Sequence, residues 1–487
     1  MSGNFRIGQV DGFSGPDGGL RIAGVTGYSI QSELVWNGTA WVPWPFIPTD
    51  PIPDPPPPTE PYATALPQTI VEFDAASPAV TEFVLDRDLL DGPQLISVTP
   101  RWVRVNDSGV MTVDITRGRS DPNQPIQVGE CTIQCDNASG DFDPDNPWSK
   151  YNQPFAGSPF VTGMGVRVSV LYPDAGIMTP VVLFTGRLET VGLARGILPT
   201  ATLTFIDDLA EIGQSSLASF ETPVRADDTS PARVTWLTNQ ASIVDVDISP
   251  LLGRTLLPTY GGGSILSELE IVAAAEQGRV FCSVDNILTL TAHADEYATP
   301  TVATLSDRDE PNSVEYQDVT TALGRQQVVN SVTVSRYAQP GAYPDVTSGD
   351  GASVDRYGRK SVTVIAPLKY ASDVQQLADY VATRRSSPAP TVNSVSVNFA
   401  GQIDAAGLLR AELGSQVSVT RTTKYASGNV VITVRQAIEG IKWSITEGTF
   451  DCNLSLAATD VASLFGSSGA FRLDVSPLTG SDLLIAY

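Results

Sequence analysis

Residues 163–193 read GMGVRVSVLYPDAGIMTPVVLFTGRLETVGL, and the fold class turns on this stretch. Val166, Val168 and Val170 alternate with Arg167 and Ser169. A period of two is sheet spacing with one face buried. A turn follows, then a second strand candidate through Phe184-Thr-Gly-Arg-Leu188, where Gly186 lets the strand kink. Outward on the amino side, Arg101–Val105 and Val110–Ile115 flank Asn106-Asp-Ser-Gly109, a hairpin turn. GECTIQCDNASGDFDPDNP (129–147) and ATLTFIDDLAEIG (201–213) supply further strands. Residues 95–219 therefore predict a compact antiparallel barrel or sandwich of about 120 residues.

The rest of the chain divides around this body. Residues 1–42 predict a glycine-rich arm, in which Leu34-Val-Trp36 and Ala40-Trp-Val42 flank Asn37-Gly38, a strong hairpin signal. Residues 43–61 carry ten prolines and predict a stiff, extended linker. Residues 62–94 hold a short β segment. Residues 220–328 predict an α+β insert: helical candidates at Pro231–Ala241 and Ser264–Glu276, the latter stopped by Gly278, then a hairpin around Val284-Asp-Asn286. Residues 329–463 return to strands around one helix at Ser372–Arg384, and 464–487 form a tail.

Composition narrows the function. The net charge of −24, from 30 basic and 54 acidic residues, argues against gripping nucleic acid by its phosphates, though not against a passage through which DNA slides. MSGNFRIGQV shows no secretory signal, and no apolar run reaches the roughly 20 residues that span a bilayer. Cys131, Cys135, Cys282 and Cys452 read as reduced packing residues; the first two share a strand face but lie about 13 Å apart at normal rise.

Catalytic constellations are missing from the pattern. His293 is the only histidine, which rules out a multi-histidine metal site in one chain, and it reads as an exposed strand-end residue. Asp136-Asn-Ala-Ser-Gly-Asp-Phe-Asp-Pro-Asp-Asn146 offers clustered carboxylates. It lacks EF-hand spacing, so calcium competes with an Asx-rich loop whose carboxylates take their own backbone amides. Nothing singles out a glycosidase pair of carboxylates. The expectation is no enzyme, no metal and no cofactor.

Two stretches repeat weakly: Gly165–Val170 with Phe184–Leu188, and Gly414–Thr420 with Ile438–Ile441, each an alternating strand with a hairpin partner that ends in a glycine, Gly186 or Gly440. This raises two copies of one barrel in the chain.

The segments also resemble a known family in their order. ITRGR (115–119), GECTIQCDNASGDFDPDN (129–146), GVRVSV (165–170), VVLFTGRLE (181–189) and TFIDDLAEI (204–212) resemble the opening domain of minor tail proteins of long-tailed (siphovirus) phages of actinobacteria. EQGRVFCSVDNILTL (276–290), NSVTVSR (330–336), DGASVDRYGRKSVTV (350–364), DVQQLADYVATR (373–384) and LGSQVSVT (413–420) resemble its later parts, so the likeness spans residues 95–460. It implies a tail-hub fold: mainly β, two tail-tube-like antiparallel β-barrels in one chain, and a small α+β insert. It further implies a homotrimer forming a pseudo-six-fold ring at the tail tip of the virion, assembled in the host cytoplasm. Its implied partners are the distal tail protein or tail tube, the tape-measure protein, and central tip or fibre proteins. DNA would pass transiently, repelled by acidic walls, with no stable membrane association. The interface residues expected are Trp36, Trp41 and Trp44 as docking anchors, with Arg119, Asp136, Asp143, Arg187 and Asp207 at loops or strand ends of the first barrel. Asn37, Gly38, Gly186 and Gly440 are expected to shape the backbone. A distal-tail ring component and a carbohydrate-binding tail-tip protein are the alternative roles.

Overall fold

The computed structural model divides into two compact units, Met1–Pro61 and Tyr62–Tyr487. In the first unit it describes residues 13–14, 20–21, 34–36 and 41–43. In the second it describes 67–74 and 102–458, apart from 106–108, 121–123, 147–148, 150, 152–161, 175–176, 219–224, 242, 244, 261, 309, 323–327, 337–342, 387–390, 401, 403–404 and 426–427.

In the first unit β1 (Phe13–Ser14) pairs with β2 (Leu20–Arg21), and β3 (Leu34–Trp36) pairs antiparallel with β4 (Trp41–Pro43). Trp36 stands opposite Trp41, with residues 37–40 between them. The hairpin expected from the sequence is therefore present in the backbone. Asn37, Gly38, Trp44 and the proline stretch lie outside the described residues.

The second unit opens with β5 (Gln68–Asp74), β6 (Trp102–Arg104), β7 (Val110–Gly118), β8 (Gln127–Asp136), β9 (Gly165–Asp174), β10 (Ile177–Ala194) and β11 (Thr200–Ile206). They lie in the order β6-β5-β9-β10-β11-β8-β7. The alternation predicted in β9 is realised: Val166, Val168 and Val170 are fully buried. Cys131, Ile133 and Cys135 of β8 face the same core, and all four cysteines are free and buried.

After α1 (Leu209–Gln214) come β12 (Asp228–Thr229), α2 (Ser230–Gln240), β13 (Val246–Ile248), β14 (Thr255–Leu256), α3 (Ile265–Glu276), β15 (Arg279–Cys282), β16 (Leu288–Thr291) and α4 (Asp295–Ala298). The Ser264 side chain caps α3 by accepting from the Ser267 amide. The helix ends at Gln277, whose φ of 56° is left-handed. Gly278 serves close approach, since a Cβ there would fall 1.7 Å from the Thr291 carbonyl oxygen.

Then follow β17 (Thr301–Ser306), β18 (Val314–Glu315), β19 (Asp318–Ala322), β20 (Ser331–Ser335), β21 (Val346–Gly349), α5 (Gly351–Tyr357), β22 (Ser361–Ile365) and α6 (Ala371–Arg385). The sheet β21-β20-β22 and α6 share a hydrophobic core with α1, α2 and α3, built on Val234, Leu269, Val332 and Leu377. The last elements are β23 (Thr391–Asn398), α7 (Ala406–Leu409), β24 (Gln416–Tyr425), β25 (Gly428–Thr446) and β26 (Phe450–Ala458). No described helix is long and apolar enough to cross a membrane.

The expectation of two closed tail-tube-like barrels is overturned. One fourteen-stranded sheet runs β18-β17-β24-β25-β7-β8-β11-β10-β9-β5-β6, with β26, β23 and β19 branching from β25, and it does not close on itself. The reason lies in β25. β26 occupies one of its edges, while the other is divided between β24, up to Ala437, and β7, from Gly440 to Thr446. The edge a second barrel needs for closure is taken by a strand of the first half. The helix and strands of 331–385, expected inside that barrel, belong instead to the core of the insert. The result is a mixed β-rich and α+β fold with several sheets.

Candidate functional site: an ionic joint between the two halves of the sheet

The β7–β25 ladder pairs Gly118 with Gly440 through to Thr112 with Thr446. At its end the register of β25 against β26 slips between Ile438 and Gly440, leaving Glu439 in a bulge. Two backbones meet there too closely for side chains. Gly118 has φ +85°, and a Cβ on it would sit 2.2 Å from the Glu439 carbonyl oxygen. One on Gly440 would sit 2.6 Å from the carbonyl oxygen of Arg119. The glycine kink expected at Gly440 is thus a crossing point between halves. Gly186 is tight in its own way, a Cβ there lying 2.6 Å from the Ile206 carbonyl oxygen.

The bulge turns Glu439 inward, only 2% exposed. Its carboxylate accepts from Arg119 (Nη2 to Oε2, 2.7 Å) and from Arg279 (Nη2 to Oε1, 2.5 Å). Arg279 also holds Glu296 at 2.6 Å. Burial pushes the Glu439 carboxyl up, but the guanidiniums of Arg279 and Arg119 outweigh it and hold the group below its usual range. Burial disfavours charge on Arg279 as well, and Glu439 and Glu296 reverse that, raising its pKa. Such a chain is stable only while every charge keeps a partner.

A second set of contacts lies beside the first. Arg117 donates Nη1 to Glu412 at 2.5 Å and Nη2 to the Cys282 carbonyl at 2.6 Å. Glu412 also accepts the Val284 amide at 3.2 Å. The Asn286 side chain, at the tip of the same turn, accepts the Asp208 amide at 2.9 Å, and Asp208 binds Arg187 Nε at 2.9 Å. Asp207, buried, accepts from the amides of Gly129 (2.8 Å) and Leu209 (3.1 Å). Burial raises its carboxyl to about 7, against the opposing pull of those amides and Arg117. The β15–β16 turn therefore bolts the insert to both halves of the sheet at once.

This arrangement fixes strands; it does not activate a nucleophile. Burial pushes the Cys282 thiol well above its ordinary pKa, which keeps it protonated and unreactive. No cluster of three or more metal-ligating side chains occurs among the described residues. In the acidic loop, Asp136 accepts the Ala138 amide at 3.0 Å and Asp143 accepts the Asp145 amide at 3.0 Å while pairing with Arg195 at 2.9 Å. That is the Asx-rich alternative. His293 departs from its expected exposure. Its Nε2 lies 2.7 Å from the Tyr380 hydroxyl, and burial lowers its pKa to about 4.

Of the residues named from sequence, Arg119 and Asp207 lie at this joint and Arg187 touches it through Asp208. Asp136 and Asp143 lie in the loop after β8. The backbone of Trp36 and Trp41 is placed in the first unit, and Trp44 lies outside the described residues. Sequence reasoning missed Glu439, Arg279, Arg117, Glu412 and Glu296. A usable signal was Ile438-Glu-Gly-Ile441, a carboxylate beside a glycine inside an apolar strand.

No family model and no curated protein matches the chain. Solved structures share its fold, two tail proteins among them. A tail protein from Neisseria meningitidis MC58 aligns with a TM-score of 0.51 at 12% identity, covering 80% of this chain and 96% of that one. The 43 kDa tail protein of prophage MuSo2 from Shewanella oneidensis aligns with a TM-score of 0.50 at 11% identity, covering 81% and 98%. The chain shares the fold of these two tail proteins.

Proposed function

We infer that this chain is a structural component of a phage tail, the hub ring at the distal end of the tail tube. On this reading it joins the tube or distal tail protein to the tip, seats the tape-measure end, and keeps a channel for DNA ejection. The observation that carries it is the strand order β7-β8-β11-β10-β9 repeated as β19-β23-β26-β25-β24 within one chain. A doubled unit lets three copies present six similar faces to a six-fold tube. The net charge of −24 suits a passage that must not hold DNA. The joint gives such a ring rigidity, because its two halves are locked by backbone pairing and buried charge rather than by a flexible linker. Trp36, Trp41 and Trp44 serve as docking anchors of an arm that reaches a neighbouring subunit.

Cryo-electron microscopy of intact particles tests the reading. Three copies at the distal end of the tube are expected; six copies would assign the chain to the distal-tail ring instead. Deleting residues 1–61 should weaken assembly of the tip while the second unit remains folded. Normal assembly of that variant would overturn the arm. Glycan binding lost in a W36A/W41A/W44A variant that still assembles would favour the carbohydrate-binding role.

A further inference from the structure

The two copies of the five-strand order align row by row. In the first, Val113 pairs with Ile133, Ile133 with Leu203, and Leu203 with Val191. In the second, Val319 pairs with Val395, Val395 with Leu454, and Leu454 with Ile441. One bulge coincides as well. β10 slips against β11 between Leu188 and Thr190, leaving Glu189, where β25 slips against β26 and leaves Glu439. By these rows β7 corresponds to β19, and the second half of β10 to the second half of β25. The sequence continues the match: Val113 is followed five residues on by Gly118-Arg119, and Val319 five residues on by Gly324-Arg325.

One contact breaks the symmetry. The outer edge of β7 is paired with β25 over Gly440–Thr446. The equivalent contact, the outer edge of β19 with the second half of β10, is not made among the described residues. Among the described residues β19 pairs only with β23, and β10 beyond Thr190 pairs only with β11. Unpaired strand edges are templates for another chain unless charges, prolines or bulges blunt them. Val191-Gly-Leu-Ala194 carries no charge and no proline. The turn that follows exposes Ile197 and Leu198 at 101% and 83%. The equivalent turn after β25 is polar, Glu447-Gly-Thr449.

We propose that a second copy of this chain lays its β19 antiparallel along Val191–Ala194 of β10, repeating between copies the strand pair that β7 and β25 make within one. At the bulge itself Thr190 stands where Gly440 does, so the close backbone crossing is not reproduced and pairing is confined to 191–194. Ile197 and Leu198 are covered by the incoming copy. Each chain offers one edge of each kind, so the contact is head-to-tail and closes into a ring when its rotation permits. The inference rests on the ring reading above and names the interface that ring would use.

Cysteine cross-linking of the full chain tests it. The internal ladder pairs Ser444 with Asp114, joined by a hydrogen bond of 2.8 Å. The row correspondence places Ala194 opposite Thr320, both exposed. The native cysteines are buried and stay silent. Chain carrying Ala194→Cys, mixed with chain carrying Thr320→Cys and oxidised, should give a covalent heterodimer that neither variant yields alone. Gly192→Cys covers a shift of two residues along the same face. In a second measurement, Ile197→Asp together with Leu198→Asp, at the two exposed apolar positions the incoming copy would cover, should weaken self-association about tenfold. Oligomers that form without any of these cross-links would overturn the interface while leaving the ring reading in place. A chain that stays monomeric and uncrosslinked would also overturn it, and so would concentration-independent protection of the β10 edge amides against hydrogen exchange. The ring reading is judged separately by the copy number in particles.

Discussion

β10 and β25 are 18 and 19 residues long, sit at the same place in a repeated strand order, and each leave one glutamate at a bulge. The surroundings of those glutamates are opposite. Glu439 is buried between Arg119 and Arg279; Glu189 is exposed, and no ion pair reaches it among the described residues. The difference lies in the neighbour. β7 lies along the edge of 440–446 that faces away from β26, whereas no described strand lies along the edge of 191–194 that faces away from β11. A bulged carboxylate costs little while water solvates it. Once a second strand seals it, the carboxylate must be paired, and its partners become part of the fold.

The largest effect should come from breaking that contrast directly. Glu439→Ala leaves Arg119 without its carboxylate and Arg279 with only Glu296, and should cost about 3–5 kcal/mol by denaturant unfolding. Glu189→Ala should stay within about 0.5 kcal/mol in the monomer. Equal costs at the two positions would break the comparison.

Next comes pH. The Asp207 carboxyl is raised from 3.8 to about 7 by burial. Between those values the folded chain holds a proton that the unfolded chain has released, so this group's contribution falls as pH rises through the window and is flat above about 7. Asp207→Asn keeps an oxygen acceptor for one of the Gly129 and Leu209 amides, loses the other at a cost that does not vary with pH, and removes the titration. Its stability relative to the parent chain should therefore grow by a few kcal/mol between about pH 4.5 and 7.5. His293 works the other way. Its pKa is lowered by burial from 6.5 to about 4, so its contribution is lost as pH falls through that range. His293→Gln should accordingly flatten the acid limb of the stability profile.

Smaller effects sharpen the joint itself. Gly440→Ala places a methyl group 2.6 Å from the Arg119 carbonyl oxygen and should cost about 1–3 kcal/mol. Ser444→Ala removes the hydrogen bond to Asp114 and should cost about 1 kcal/mol. Thermal melts of both variants suffice to check the order.

Much of this was legible in the sequence, and the limit has a physical origin. Alternation such as Val166/Val168/Val170 reports which face of a strand is buried, and capping at Ser264 reports where a helix begins. Both are local signals. Which edge a strand pairs with is not local: Thr112 and Thr446 meet across most of the second unit. Two repeated β units therefore read as two closed barrels, when one open sheet joins them. The same holds for the joint. Arg119 and Asp207 stand at loops or strand ends, which the pattern marks, but Glu439 and Arg279 look like ordinary strand residues until the distant partner is known. The pairing of Gly118 with Gly440 is invisible from either side alone.

That pairing has a consequence for the newborn chain. The strands β5 to β11 are complete at the ribosome long before β25 exists, and the edge of β7 must wait for it. At ordinary synthesis rates the wait is roughly 15–60 s, long enough for an open strand to find the wrong companion. Arg117 and Arg119 lie at the end of that edge, and until Glu412 and Glu439 emerge they are unneutralised cations. The charges that later tie the halves together would meanwhile act as guards, keeping nascent chains from pairing with one another before their own carboxylates arrive.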